Sequence, residues 1–148
     1  MPEKLDLTTN EIPDAINGAV TRGHAVVLGY IDDAGDPAVS FRGSTLVHGP
    51  QQLAIWARKR DAGFAKAIEG HPRVSLLYFG GSGPGPRFLT FKGTAHVDES
   101  ASDAVYSTMV EGERAQDPER NGVAVIVEVE SVFGVGANGP FQMARAAE

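Results

Sequence analysis

A chain of 148 residues, 42% hydrophobic and 22% charged, suits one domain spanning 1–148, long enough to bury roughly 70% of its unfolded surface. Nineteen acidic against thirteen basic residues give a formal net charge of −6, so no broad basic surface exists to displace counterions, which excludes duplex nucleic acid as a partner. Cysteine is absent, which removes disulfides, thiolate nucleophiles and cysteine metal sites, so any redox chemistry must be borrowed from a bound group.

The opening MPEKLDLTTNEIPDA carries acidic residues and no long apolar core, and no later run approaches the ~18 apolar residues of a membrane span. A soluble, cytoplasmic chain with no membrane partner is expected. Thr8 or Thr9 followed by Glu11 and Asp14, with Ile12, Ala15, Ile16 and Ala19 along one side, predicts a helix over Leu5 to Ala19 in which Pro13 fits near the start. His24 to Ile31 is a compact apolar strand, turned back by Asp32-Asp33-Ala34-Gly35-Asp36. Ala38 to Val47 reads as the next strand, and Gly49-Pro50 breaks the chain into a hairpin with Gln52 to Ala57.

Three consecutive cations, Arg58, Lys59 and Arg60, leave that strand. Asp61 then reads as the N-cap of a helix over Ala62 to Glu69, with Phe64, Ala65 and Ile68 on one face and Gly70 at its close. A helix N-terminus beside three cations is an anion site in outline, and a solvated basic turn is the bland reading of the same residues. Strand alternation sends Arg58 and Arg60 one way and Lys59 the other. The run Val74 to Phe79 reads as a buried strand.

Gly80 to Pro86 is glycine-rich but holds no lysine and runs into a strand, so it is a hairpin loop, and a potential flap, rather than a phosphate-cradling loop. Arg87 to Val97 alternates as a long strand with Gly93 at a bend or bulge. A helix over Ser100 to Val110 follows Asp98, then a charged stretch, EGERAQDPERN, which is a loop or a broken helix interrupted by Pro118, then a core strand from Gly122 to Val129 and an irregular strand from Phe133 to Phe141. Ala144 to Glu148 is expected to fray.

The four histidines lie on separate segments without i,i+4 spacing, so no metal site is expected, and no serine sits in a Gly-x-Ser-x-Gly setting. No catalytic side chain stands out. Trp56 is a half-buried core or interface residue by default, or the neighbour of an aromatic cofactor. Arg42, next to Gly43 and Ser44 within a strand, is costly to bury without an anion, or else faces outward.

Pro37-Ala38-Val39-Ser40-Phe41-Arg42, then Ile55-Trp56-Ala57-Arg58, and above all Ala67-Ile68-Glu69-Gly70-His71-Pro72-Arg73-Val74-Ser75-Leu76-Leu77 resemble the pyridoxamine 5′-phosphate oxidase-like proteins, the split-barrel flavin-binding superfamily. The last stretch is similar to that family's helix and "NPRVSLL"-type strand, with His71 where Asn is usual. Phe91 to Ala95 and Val123 to Val129 extend the likeness over most of the chain. With the period-2 strands and tight turns, it implies a mainly β fold: a six-to-seven-stranded antiparallel split β-barrel of the FMN-binding type with short helices.

The resemblance further implies a homodimer seating flavin mononucleotide (FMN) or the deazaflavin coenzyme F-420 at the subunit interface, and an oxidoreductase moving hydride to or from a small molecule. A non-catalytic carrier of flavin, deazaflavin or haem is the alternative. By position, Ser40, Arg42 and Ser44 would line the cofactor from one strand, Trp56 and Ala57 from the next, and the helix start at Gly63 and Phe64 would face its phosphate. The family has a basic pair where this chain has Gly63 and Phe64, so Arg58, Lys59, Arg60 and Arg42 are the cations left to hold a phosphate.

Overall fold

The computed structural model describes residues 2–146. Nine strands, β1 (Glu3–Lys4), β2 (Val26–Ile31), β3 (Pro37–Arg42), β4 (Leu46–Gly49), β5 (Gln52–Ala57), β6 (Arg73–Phe79), β7 (Phe88–Val97), β8 (Val123–Gly136) and β9 (Gly139–Ala144), form one sheet. Helices α1 (Ile12–Asn17), α2 (Gly63–Gly70), α3 (Ser102–Thr108) and α4 (Glu111–Arg114) connect them, and a 3-10 turn at Glu99–Ala101 precedes α3. The sheet runs β1-β9-β8-β7-β6-β2-β3, with β5 leaving β8 to carry β4. All neighbours are antiparallel except β1, which lies parallel to β9.

The fourteen-residue β8 splits the barrel. From Val125 to Val135 it pairs with β7, while its first half also pairs with β5 and its second half with β9. The register shifts between Lys92 and Gly93, opposite which β8 carries the extra residue Glu130, and a Cβ at Gly93 would lie 2.2 Å from the Glu128 carbonyl oxygen, so only glycine allows the strands to close at this bulge. Alternate residues of β5 and β8 feed two cores. Leu53, Ile55, Val123, Val125 and Val127 point into the barrel, and Ala54, Trp56, Ala124 and Ile126 point outward beneath Val105 and Met109. Both faces being covered explains why these strands read as unbroken apolar runs.

Several sequence expectations change in three dimensions. The predicted strand over Ala38 to Val47 is two strands, because the carbonyl of Arg42 accepts from the backbone and hydroxyl of Thr45 and turns the chain. The two predicted strands over Gly122 to Val129 and Phe133 to Phe141 are instead continuous β8 and a hairpin into β9, which with β1 raises the count beyond seven. The opening helix is confined to Ile12–Asn17. Leu5 and Leu7 are buried outside any helix, held by bonds to the Ala144 and Pro50 carbonyls. Arg145 does not fray. Its guanidinium donates to the Val129 carbonyl at 2.6 Å and meets Glu128 at 3.2 Å, while Ala147 and Glu148 lie outside the described residues.

Strand β6 is buried on one face only. Val74, Leu76 and Tyr78 fill the barrel, but Leu77 and Phe79 are 42% and 65% exposed. Register carries that uncovered face across the sheet through Phe41, Val27, Leu77, Thr90 and Phe133, with Val39 flanking the row. Val39 and Phe41 are 78% and 76% exposed. Among the described residues no helix is long and apolar enough to cross a membrane.

Candidate functional site

Where β5 ends, its exit, the start of α2, the end of β3 and the loop before β8 surround a cleft of about 530 Å³. Arg42, Ala57, Arg58, Lys59, Gly63 and Phe64 line it together with Tyr30, Ala62, Gln116, Asp117 and Asn121. The strand and helix faces explain the convergence. Ser40 and Arg42 share the side of β3 opposite the exposed Val39 and Phe41, and Phe64 is the first buried residue of α2.

Arg42 is the most constrained of the cations. Its Nε donates to Ser40 Oγ at 3.0 Å, and its guanidinium carbon stands 5.0 Å from the centroid of the Phe64 ring. Tyr30 meets the same ring edge-on at 5.2 Å. Burial pulls the Arg42 pKa down, the Tyr30 hydroxyl opposes that, and the neighbouring Arg58 charge adds to it. An arginine keeps its proton under such stress, so the cost stands as demand for an anion. Arg58 reaches Gln116 Oε1 at 3.4 Å. Among the described residues no carboxylate lies within ion-pair distance of Arg42, Arg58 or Lys59.

The start of α2 is open as well. The expected Asp61 cap does not form. The N-cap is Ala62, and its methyl group leaves the first-turn N–H groups without a side-chain acceptor, at the wall of the same cleft. Gly63 has φ 56°, a conformation that favours glycine at this entry.

The structure separates the other candidates from this cluster. Arg60 turns away from the cleft, so alternation mispairs it with Arg58. Its guanidinium grips Glu99 at 3.2 Å and donates to the Asn121 and Gly122 carbonyls at 3.1 and 2.7 Å. Ser44 is spent on the backbone of Trp56, accepting its N–H at 2.9 Å. Trp56 is 4% exposed rather than half-buried, with its ring against Tyr106 in the outer core and its indole N–H donating to Asp117 Oδ2 at 2.9 Å. Only Ala57, the next residue of β5, reaches the cleft wall.

Tyr30, Gln116, Asp117 and Asn121 were not legible as site residues. Tyr30 carried no local signal. Asp117 sits in the charged segment read as a loop or a broken helix, and the one available hint is its spacing before Asn121-Gly122, where a short carboxylate can cap its own loop. Asp117 does so: Oδ1 accepts from Asn121 N at 2.9 Å and Oδ2 from Gly122 N at 2.8 Å. Burial raises its pKa, but the bonds from Trp56, Asn121 and Gly122 and the Arg58 charge outweigh it and hold the carboxyl below its ordinary value. Gly122 is required here, because a Cβ would stand 2.4 Å from the Ala57 carbonyl oxygen. Among the described residues no cluster of metal-ligating side chains exists.

No family model matches the chain, and no curated protein matches it. Solved structures do. A candidate pyridoxamine 5′-phosphate oxidase from Lactobacillus delbrueckii aligns at 25% identity and a TM-score of 0.54, over 86% of this chain and 98% of that one. A pyridoxamine 5′-phosphate oxidase-related, FMN-binding protein from Nostoc punctiforme aligns at 15% identity and a TM-score of 0.59, over 86% and 81%. An F-420 reductase aligns at 14% identity and a TM-score of 0.58, over 84% and 95%. The chain therefore has the split-barrel fold of these pyridoxamine 5′-phosphate oxidase-like structures.

Proposed function

We propose that the chain binds FMN or coenzyme F-420 by its phosphate in the cleft at the start of α2, and acts as an oxidoreductase on a small molecule. The observation that carries this reading is the convergence of Arg42, Arg58 and Lys59, without carboxylate partners among the described residues, on uncapped helix N–H groups. A phosphate there accepts charge-assisted bonds from all three cations and from the first turn of α2. The cofactor supplies hydride transfer, so the protein has only to bind, orient and shield it. Asp117 is tied up in three hydrogen bonds and no histidine lines the cleft, so neither a free carboxylate nor an imidazole serves as acid or base there. That same lack supports the second reading, a carrier that holds the cofactor without turning it over.

A homodimer is part of the proposal. The uncovered row Phe41, Val27, Leu77, Thr90 and Phe133 is broad and apolar, as expected of a face meeting a second copy of itself.

Titration of the purified protein with FMN and with coenzyme F-420, followed by absorbance and fluorescence, tests the site. Arg42→Ala and Arg58→Ala should each weaken binding roughly tenfold to a hundredfold, about 1.5–3 kcal/mol for a charged hydrogen bond to a sequestered phosphate. Rising salt should weaken it further. Binding of neither cofactor, or binding indifferent to both substitutions, would refute the site, and turnover of a bound cofactor by an electron donor separates enzyme from carrier.

A further inference from the structure

Resting on that phosphate site, we propose that Phe64 is a positioning residue for Arg42. With Tyr30 and Ser40 it holds the guanidinium in place at the cleft wall, so that an aromatic platform replaces a fixed second charge at the start of α2.

Three contacts define the arrangement. Ser40 Oγ takes the Arg42 Nε–H at 3.0 Å, which fixes one edge of the fork. Phe64 lies 5.0 Å from the guanidinium carbon, within the range where the negative face of the ring attracts a cation. Tyr30 packs edge-on against Phe64 at 5.2 Å and 62°, and Phe64 is 3% exposed, so the platform itself has little freedom. The Tyr30 hydroxyl also lies close to the guanidinium, and Ser40 takes Nε alone, which leaves donors of the fork for a ligand. A guanidinium ordered before the ligand arrives loses its rotamer entropy on folding and not on binding, which raises affinity for a forked oxyanion. The planar fork matches two oxygens of a phosphate or phosphate ester as it does those of a carboxylate, and the uncapped first turn of α2 beside it favours the phosphate. Arg58 and Lys59, exposed and loosely held, add charge without that order.

Phe64 also belongs to the barrel core, so the test must separate ordering of Arg42 from simple packing. Phe64→Leu keeps apolar volume and removes the ring face, and Phe64→Met serves if the first variant loses its fold. The probe is inorganic phosphate, followed on the Arg42 Nε–H signal in nitrogen-15 correlation spectra. In the ligand-free wild type that proton should exchange about tenfold more slowly than in Phe64→Leu, and phosphate affinity should drop about threefold to tenfold in the variant. Once Arg42 is alanine, replacing Phe64 should cost no further affinity, because the two act as one unit. Equal exchange and affinity in both proteins, an undiminished Phe64 effect without Arg42, or no response of the Arg42 signal to phosphate would each overturn the proposal. A parallel FMN titration keeps the two readings apart: phosphate binding that depends on Phe64 without FMN binding sinks the cofactor assignment and leaves the platform standing.

Discussion

Asp117 shows what a single carboxylate can hold together in this chain. It is 6% exposed and joins the Trp56 indole, on β5, to the backbone of Asn121 and Gly122 at the entry to β8. Replacing it with asparagine leaves the shape but turns one acceptor oxygen into a donor facing N–H groups. Asp117→Asn should cost roughly 2–3 kcal/mol, read by urea unfolding at pH 7. The pH dependence follows from the lowered carboxyl pKa. Its stabilisation is present above the unfolded-state value near ~3.9 and is lost as pH falls through the folded value, so the gap between wild type and variant should close in acid. A gap that does not narrow as pH is lowered from 7 through the carboxylate range would mean that packing, not charge, carries the effect.

Elements meet at the exit of β5, where consecutive cations do different jobs. Arg58 and Lys59 face the cleft, whereas Arg60 ties this exit to the turn before α3 through Glu99 and to the entry of β8 through two carbonyls. The ion pair is exposed and weak on its own, so the carbonyl bonds matter more. Arg60→Ala should lower stability by about 1–2 kcal/mol and leave cofactor and phosphate affinity within about twofold of wild type, the reverse of the pattern at Arg42. Thermal unfolding and the same titrations measure both. The glycine-rich loop after β6 lies close to the start of α1: Gly80 donates to the Arg87 carbonyl across the base of the hairpin, and a Cβ at Gly85 would stand 2.7 Å from the Glu11 carbonyl oxygen. Beneath it Arg22 donates to the Tyr78 hydroxyl at 2.9 Å and to the Ala15 carbonyl at 2.7 Å, clasping α1 to β6.

At the scale of the whole molecule the outer sheet face dominates. Val39, Phe41, Leu77 and Phe79 would stand in water in a lone chain, and burying such side chains is worth about 1.5–3 kcal/mol each. Sedimentation at micromolar concentration should therefore find a dimer. Phe41→Asp combined with Leu77→Asp should give a monomer that keeps its circular dichroism, because neither residue belongs to the barrel cores. A wild-type monomer would leave that face for another occupant.

Local pattern determined most of the strands, helix α2, the bulge at Gly93 and the clustering of cations after Trp56. Periodicity and turn chemistry act over a few residues, and these features need nothing more. The alternation of β6 was there to be read, yet an apolar run does not say whether its second face is covered by its own chain. Tertiary structure alone decided that. It also decided which cations gather: Arg42 comes from a strand sixteen residues before Arg58, and Arg60 leaves the group because Glu99 and two carbonyls from distant segments reach it first. Trp56 and Ser44 leave the site for the same reason, claimed by Asp117 and by backbone that the sequence places far away. Tyr30 and Phe64 became a platform for Arg42 only when β2, β3 and α2 closed on one another, since a cation–π contact depends on distance in space and leaves no spacing in the chain.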